Sequence, residues 1–331
     1  MSKIGGRQVE IGIAVEATPG TALAPTIYPK WLTYSMNPEV EKASLVSARG
    51  VRPMTSDSII KKTYGKGALS VVMDANVSLY VWYMTLGSIS TGTHAGETTI
   101  YDSTISVQNA NASMKTFTLT SSEGGVVVER YPNCMINSMT FECDNDFAKY
   151  TLDIIGQNPA TASAPSTAYI EEALMAYKDM TIKFGTSLAN AASQAVTPLR
   201  DFKITVNNNL QVDEAFLSGS ASMISGGLLP GSMKITGSYS LQFSDTVELN
   251  KYKANTKNAA IVQLSGASMG VVPTTEIVKI SLARLQLNKA PKVFNIDGLV
   301  LLQQEFECEY SGSETKAIEV LVTTDNSSAS M

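Results

Sequence analysis

Gly67–Gly87 reads GALSVVMDANVSLYVWYMTLG, and its reading decides the fold. A glycine-led strand runs up to Asp74. That residue is a good N-cap, whose carboxylate can take up the free N–H groups of a helix starting at Ala75. Gly87 supplies the left-handed stop that ends such a helix. A second stretch, GSYSLQFSDTVELNKYKAN from Gly237, repeats the plan at an offset of 170, with Ser244 in the place of Asp74 and a helix expected from Asp245. Upstream, LTYSMNPEVE from Leu32 and FKITVNNNLQ from Phe202 share the offset of 170.

The tripeptide FEC also occurs twice, at Phe141-Glu142-Cys143 and Phe306-Glu307-Cys308, an offset of 165. Each copy follows an apolar-rich stretch and precedes a polar turn and an alternating strand, KYTLDII or KAIEVLV. Matches in one order at nearly constant spacing predict a tandem duplication. A first domain would span 1–160 and a second 161–331, meeting in the Pro-, Ser-, Thr- and Ala-rich stretch 156–170. The segments 42–66 and 212–236 read as unrelated long loops.

Period-two alternation predicts antiparallel strands with one buried and one wet face. Leu32, Tyr34 and Met36 oppose Thr33, Ser35 and Asn37, while Phe202, Ile204 and Val206 oppose Lys203, Thr205 and Asn207. Tyr239, Leu241 and Phe243 oppose Ser238, Ser240 and Gln242. In FEC, Phe and Cys share the apolar face and Glu points the other way. The expected fold is mainly β: two tandem β-sandwich or half-barrel domains, each with one short flanking α-helix over an open sheet.

Composition bounds the function. The 331 residues are 44% hydrophobic and 17% charged, which suits a globular core, and the net charge of −5 argues against a nucleic-acid-binding surface. Three cysteines without a CxxC pair fit a reducing compartment. The opening MSKIGGRQVEIG lacks the apolar core of a signal peptide, and no stretch approaches the ~18 apolar residues of a membrane helix. The expectation is a soluble protein made in a cytoplasm, for which the sequons at Asn76 and Asn111 are silent.

Catalytic patterns are not met. His94, the single histidine, lies in a small-residue loop, STGTHAGET, and is expected to face solvent. YGKGALS lacks the spacing of a phosphate loop and leads into a strand rather than a helix. Ser58-Ile59-Ile60-Lys61 matches SxxK but falls in a loop. No ligand-spaced His/Cys set suggests a metal. The expectation is neither an enzyme nor a cofactor protein.

With these elements in order, IGIAVEATPGTALAPTIYPKWLTYSMNPEVE resembles the opening of tail tube proteins of long-tailed (siphovirus-type) bacteriophages. YGKGALSVVMDANVSLYVWYMTLG is similar to the strand and helix that follow in that family, and FECEYSGSETKAIEVLVTTDN to its closing hairpin. The resemblance implies tail-tube β-sandwich domains that form rings whose inner strands close into one barrel, the rings stacking into a tube for DNA passage. With two domains per chain, it implies a trimeric, pseudo-sixfold ring rather than a hexamer. It further implies tape-measure, tail-tip and terminator proteins as partners, genomic DNA in transit without sequence-specific binding, no membrane, and assembly in the host cytoplasm into the virion tail. Related alternatives are the tube of a contractile or secretion apparatus, or a β-sandwich capsid-decoration or adhesion module.

A channel wall for sliding DNA should be polar to acidic, so that phosphates are not neutralised. The candidate lumen-facing residues are Thr33, Ser35, Ser70, Glu142, Asp144 and Asp153 in the first half. In the second they are Thr205, Ser238, Ser240, Gln242, Glu305, Glu307 and Glu319. The basic loop with Lys42, Arg49, Arg52, Lys61, Lys62 and Lys66 is the candidate contact to a neighbouring ring, with Asp213 and Glu214 on the partner loop.

Overall fold

The computed structural model describes residues 5–46, 55–109, 114–165, 169, 173–216, 221–224, 226–243, 246–270, 274–294 and 300–326. The first half holds β1 (Val9–Val15), β2 (Trp31–Tyr34), β3 (Asn37–Val46), β4 (Thr55–Val72), α1 (Ala75–Leu86), β5 (Gly87–Thr93) and β6 (Tyr101–Val107). It continues with β7 (Phe117–Glu123), β8 (Val127–Asp144), β9 (Lys149–Gly156) and β10 (Ala160–Thr161). The second half holds β11 (Met180–Gly185), α2 (Leu188–Ser193), β12 (Asp201–Asn207), β13 (Lys234–Gln242) and α3 (Val247–Lys253). It ends with β14 (Asn258–Met269), β15 (Thr274–Lys289), β16 (Lys292–Val293), β17 (Leu301–Cys308) and β18 (Ile318–Thr324). The protein is mainly β and wholly antiparallel between these strands, as the alternation predicted.

One layer runs without interruption through both halves, in the order β2–β4–β9–β8–β12–β13–β17, and ends on β15 and β16. The seam between the halves is the β8–β12 ladder, seven residue pairs from Asp144–Asp201 to Ser138–Asn207. Behind this layer, β1–β7–β8–β10 covers the first half, and β11–β14–β15–β18–β6–β5 covers the second. Strands β8 and β15 are long enough to serve both layers. The hairpin β5–β6, coded in the first half, completes the second half's outer sheet.

Between the layers, Trp82, Tyr150, Phe141, Phe202, Phe306, Tyr239 and Phe184 form an unbroken chain of ring contacts, with centroids 5.1–6.2 Å apart. Stacked, tilted and edge-on ring contacts of this kind stabilise beyond the area that each ring buries. The alternation expected for FEC holds, since Phe141, Cys143, Phe306 and Cys308 are all buried. The pairing order separates the two copies, however. Phe141 is on β8, between β9 and β12, whereas Phe306 is on β17, between β13 and β15. FEC marks two different strands of the layer rather than one strand written twice.

The Gly67 and Gly237 stretches lie on β4 and β13, each against a strand that precedes it in the chain. A Cβ on Gly67 would collide with the backbone of Ser35 and Met36, and one on Gly237 with the Lys203 carbonyl and the Phe306 ring. Glycine lets the neighbouring strand approach at both sites. Tyr34 stands opposite Leu69 and Phe202 opposite Tyr239, so β2 corresponds to β12 at an offset of 168 rather than 170. The two-residue slip leaves the buried and wet faces unchanged, because side chains alternate with period two.

Helix α1 begins and ends where the sequence predicted. Asp74 accepts from the Val77 N–H at 2.7 Å, and Gly87 adopts φ 89°. All twelve helical residues are buried, so α1 is an interior helix rather than a cover on an open sheet. It packs against β18 and β6 of the second half's outer sheet, and the Trp82 indole N–H donates to the Tyr150 hydroxyl at 3.0 Å. Its counterpart α3 has no buried residue and starts after Thr246; Ser244 and Asp245 lie outside the described residues.

The expected loop 42–66 is instead most of a long hairpin, β3–β4. Over 37–46 and 57–61 its strands are exposed on both faces, and Val40, Leu45, Val46, Ile59 and Ile60 stand in solvent. With no face buried there is no alternation for the sequence to reveal, which is why it read as a loop.

Candidate functional site

The face opposite the aromatic core aligns polar residues into cross-strand rungs. The longest runs Thr33, Ser70, Thr151, Thr140, Thr205, Thr236, Glu307 and Gln286, each the direct partner of the next. At the seam the Thr140 and Thr205 hydroxyls lie 3.0 Å apart in a hydrogen bond. A second rung runs Lys149, Glu142, Lys203, Ser238, Glu305 and Lys289, in which lysine and glutamate alternate on either side of the serine. A third runs Asp144, Asp201, Ser240 and Gln303. On the other side of the hydroxyl rung come Asp153, Ser138, Asn207 and Lys234.

These rungs hold nearly every residue that the sequence singled out for a wet inner face. Ser35 joins through Ala68, whose N–H donates to the Ser35 hydroxyl at 3.1 Å, and Gln242 continues the same face of β13 at the strand's exposed end. Glu319 does not belong. It lies on β18 in the outer layer, bound to Lys316 at 2.8 Å. Alternation assigns a residue to one face of its strand, but not its strand to a layer, and the sequence reading failed there.

The face also carries lysines, which were not among the expected residues. Lys149 pairs with Glu142 at 3.5 Å, Lys234 with Glu307 at 3.3 Å and Lys289 with Glu305 at 2.9 Å. This face is therefore charge-compensated rather than simply acidic, with Asp144, Asp153 and Asp201 adding negative charge. Alternation already places Lys203 on one face with Thr205.

The layer has two edges. Among the described residues β2 is paired only with β4, and β16 only with β17. Leu32 is 51% exposed at the first edge, and Phe294 is 75% exposed just beyond the second, so neither edge is covered by another described strand.

The β3–β4 arm leaves the same layer next to β2. Its base is braced by the expected partner loop, which folds back over the first half instead of mirroring the arm. Thr63 donates its N–H to the Ala221 carbonyl at 2.6 Å, and the Tyr64 and Phe216 rings meet at 6.0 Å. Leu210, Ala215, Met223 and Leu228 pack on Met135 and Ile155 in a small second core. Lys62 forms an ion pair with Asp213 inside the chain, and this bond holds the Asp213 carboxyl below its usual range. Lys42 and Lys61 lie along the arm, and Lys66 at its root, opposite Asn37. Arg49, Arg52 and the Glu214 side chain lie outside the described residues.

Glu16 was missed by the sequence reading. The residue is 2% exposed, and its carboxylate accepts four hydrogen bonds, from Gly20 N–H, Thr116 Oγ1, Thr118 Oγ1 and Asn133 N–H, at 2.7–2.9 Å. It pins the turn after β1 onto β7 and β8. The signal was a single glutamate ending an apolar strand, IGIAVE, just before the turn TPGT.

His94 was expected in solvent. It is instead half-buried at the β5–β6 hairpin, with Nδ1 2.9 Å from Asp102, which also accepts from the Thr323 hydroxyl at 2.7 Å. This links the hairpin to β18. The three cysteines are free and buried. Burial pushes the Cys308 thiol up to about 11 and Cys143 to about 12, so both are poor nucleophiles. Among the described residues no group of three or more His, Cys, Asp or Glu is placed to hold a metal, and no helix is long and apolar enough to cross a membrane.

Sheet faces, unfinished edges and an arm are the features of a structural β module. No curated protein matches the sequence. The family model for phage tail tube proteins matches residues 6–308, nearly the whole chain, and the protein belongs to that family. Its role is structural, in the tail of the virion.

Proposed function

We propose that three chains close into a ring of six half-chains, with the rungs of β4, β9, β8, β12, β13 and β17 lining a channel, and that rings stack into the tube through which DNA leaves the virion. The observation that carries this reading is the layer that passes unbroken across the β8–β12 seam and ends on two unfinished edges. An antiparallel layer with free edges is completed by another copy, and closure into a barrel removes the edges altogether.

The two halves, 1–160 and 161–331, act as two tube domains. Their pairing orders support this: β1–β7, β2–β4, β4–β9 and β9–β8 are repeated by β11–β14, β12–β13, β13–β17 and β17–β15. The exchanged hairpin β5–β6 locks the halves together, so the chain rather than the half is the unit that assembles.

The wall suits a sliding polyanion. Lysines that already face glutamates release few counterions to DNA, while Asp144, Asp153 and Asp201 repel phosphate. The hydroxyl rung keeps the surface wet without fixed positive charge. The arm, with its exposed aliphatic residues and Lys42, Lys61, Arg49 and Arg52, reaches the neighbouring ring. Before ejection the channel holds the tape-measure protein, and the ends of the tube meet terminator and tail-tip proteins after assembly in the host cytoplasm.

Negative-stain electron microscopy of the purified chain tests the reading. Stacked rings with a central channel and three chains per ring are expected. Compact monomers at all concentrations would refute it. Shortening the arm to a tight turn at Glu41 and Lys61 should leave rings but abolish stacking, and Arg49→Glu with Arg52→Glu should shorten the tubes.

A further inference from the structure

We propose that the joint between neighbouring chains repeats the joint inside the chain: β16 of one copy pairs antiparallel with β2 of the next, with Phe294 opposite Tyr34, Val293 opposite Ser35 and Lys292 opposite Met36. The proposal rests on the ring reading above and adds the register of its closing contact.

The register follows from the correspondence of the two halves. Gly67 faces Ile154, which faces Ile136. Gly237 faces Phe306, which faces Leu287. In both triples the ladder breaks at the next residue of the last strand, between Ile136 and Ser138 and between Leu287 and Lys289. The residue bulged out is an asparagine each time, Asn137 and Asn288. A bulge shared at one position fixes the alignment of β8 with β15.

Beyond the bulge the correspondence continues into β16. Glu142 faces Lys149 and Phe141 faces Tyr150, while Val293 faces Leu301 and Lys292 faces Leu302. Strand β16 is therefore the counterpart of the segment of β8 that makes the internal joint. On the other side of that joint, Phe202, Lys203 and Ile204 correspond to Tyr34, Ser35 and Met36. The internal pairs Cys143–Phe202, Glu142–Lys203 and Phe141–Ile204 then translate directly into the three pairs between copies.

The two edges fit that assignment. Phe294 is 75% exposed on the free chain, and packing over Tyr34 would cover it as Cys143 is covered by Phe202. The same register brings Glu39 opposite Lys289, a pair of opposite charge. Pro38 and Pro291 lie just beyond the paired segment, and each lacks the N–H that would extend the ladder. Prolines confine the contact to a short stretch, which keeps the free edges from pairing indiscriminately. The joint between chains also lacks a counterpart of β5–β6, because α3 and β14 are separated only by 254–257. It should therefore open before the internal joint does.

Disulfide trapping in the full chain tests the register. Ser35→Cys with Val293→Cys should give dimers and a closed trimer on a non-reducing gel after mild oxidation of assembled protein. Ser35→Cys with Pro291→Cys, displaced by two residues, should lose the trimer. Rings visible in the microscope whose displaced pair links better, or in which neither pair links, would overturn the register and leave the ring reading standing. Compact particles without rings before oxidation would bring down the ring reading itself, and this joint with it.

Discussion

Phe141 and Phe306, the aromatic residues of the two FEC tripeptides, meet on one ring: Phe202 stands 6.2 Å from each, centroid to centroid. It enters the core from β12 at the seam between the halves and is 1% exposed. One side chain therefore couples the cores on both sides of the seam.

Truncating that ring should be felt by the whole chain. Phe202→Ala should cost about 3–5 kcal/mol, the usual penalty for emptying an aromatic site in a packed core. Because the ring belongs to both halves, urea unfolding should remain a single shifted transition by fluorescence and circular dichroism. Two separated transitions, only one of them moved, would show that the halves unfold independently.

Glu16 makes the next expectation. Removing its carboxylate strands the Asn133 N–H and two threonine hydroxyls away from water, and takes the acceptor from the half-buried Gly20 N–H. Each unsatisfied buried donor costs about 1–3 kcal/mol, so Glu16→Ala should be among the most damaging substitutions in the first half. Glu16→Gln keeps one acceptor oxygen but turns an amide N–H toward donors, and should fall between wild type and alanine. Equal midpoints for Ala and wild type in denaturant titration would refute the clamp.

What the sequence revealed, and what it hid, follows from which residues have a buried face. Strands such as β12 and β13 alternate cleanly because one face packs on the aromatic chain, and Asp74 and Gly87 bound α1 by local chemistry alone. The β3–β4 arm hides because neither face is buried. The FEC match misled because buried aromatics and cysteines recur on any inner strand of such a layer; only pairing partners separate β8 from β17. The wet face was legible from Thr205 and Ser238, whereas Glu319 was misplaced because layer membership is a long-range property. Glu16 went unread because its four partners come from places as distant in sequence as Gly20 and Asn133.

Lys203 faces Glu142 directly across the seam, so reversing its charge should weaken that seam. Like charges directly opposite on antiparallel strands are destabilising, and opposite charges contribute roughly 0.2–1 kcal/mol. Lys203→Glu should lower the unfolding midpoint by more than Lys203→Gln does. The difference should shrink in 1 M salt, where the screening length falls to about 3 Å. A gap between the two variants that persists unchanged in high salt would assign the loss to packing of the lysine stem rather than to charge.

The buried thiols set an alkaline limit. Burial raises Cys308 from the ordinary 9.0 to about 11 and Cys143 from 9.0 to about 12. The folded chain keeps these protons where the unfolded chain gives them up. Their contribution to stability is thus complete below pH 9 and declines as pH climbs toward 11 and 12. Burial raises Tyr150 and Tyr239 as well, so their hydroxyls act in the same direction. The unfolding midpoint should therefore drop steadily above pH 9, and Cys308→Ala should flatten the first part of that slope. In the native chain at pH 8, a thiol reagent should react no faster than the protein opens, because the thiolate is scarce and the sulfur is covered. Labelling of all three cysteines at the rate of a free peptide thiol, with the fold intact by circular dichroism, would refute this account of the core.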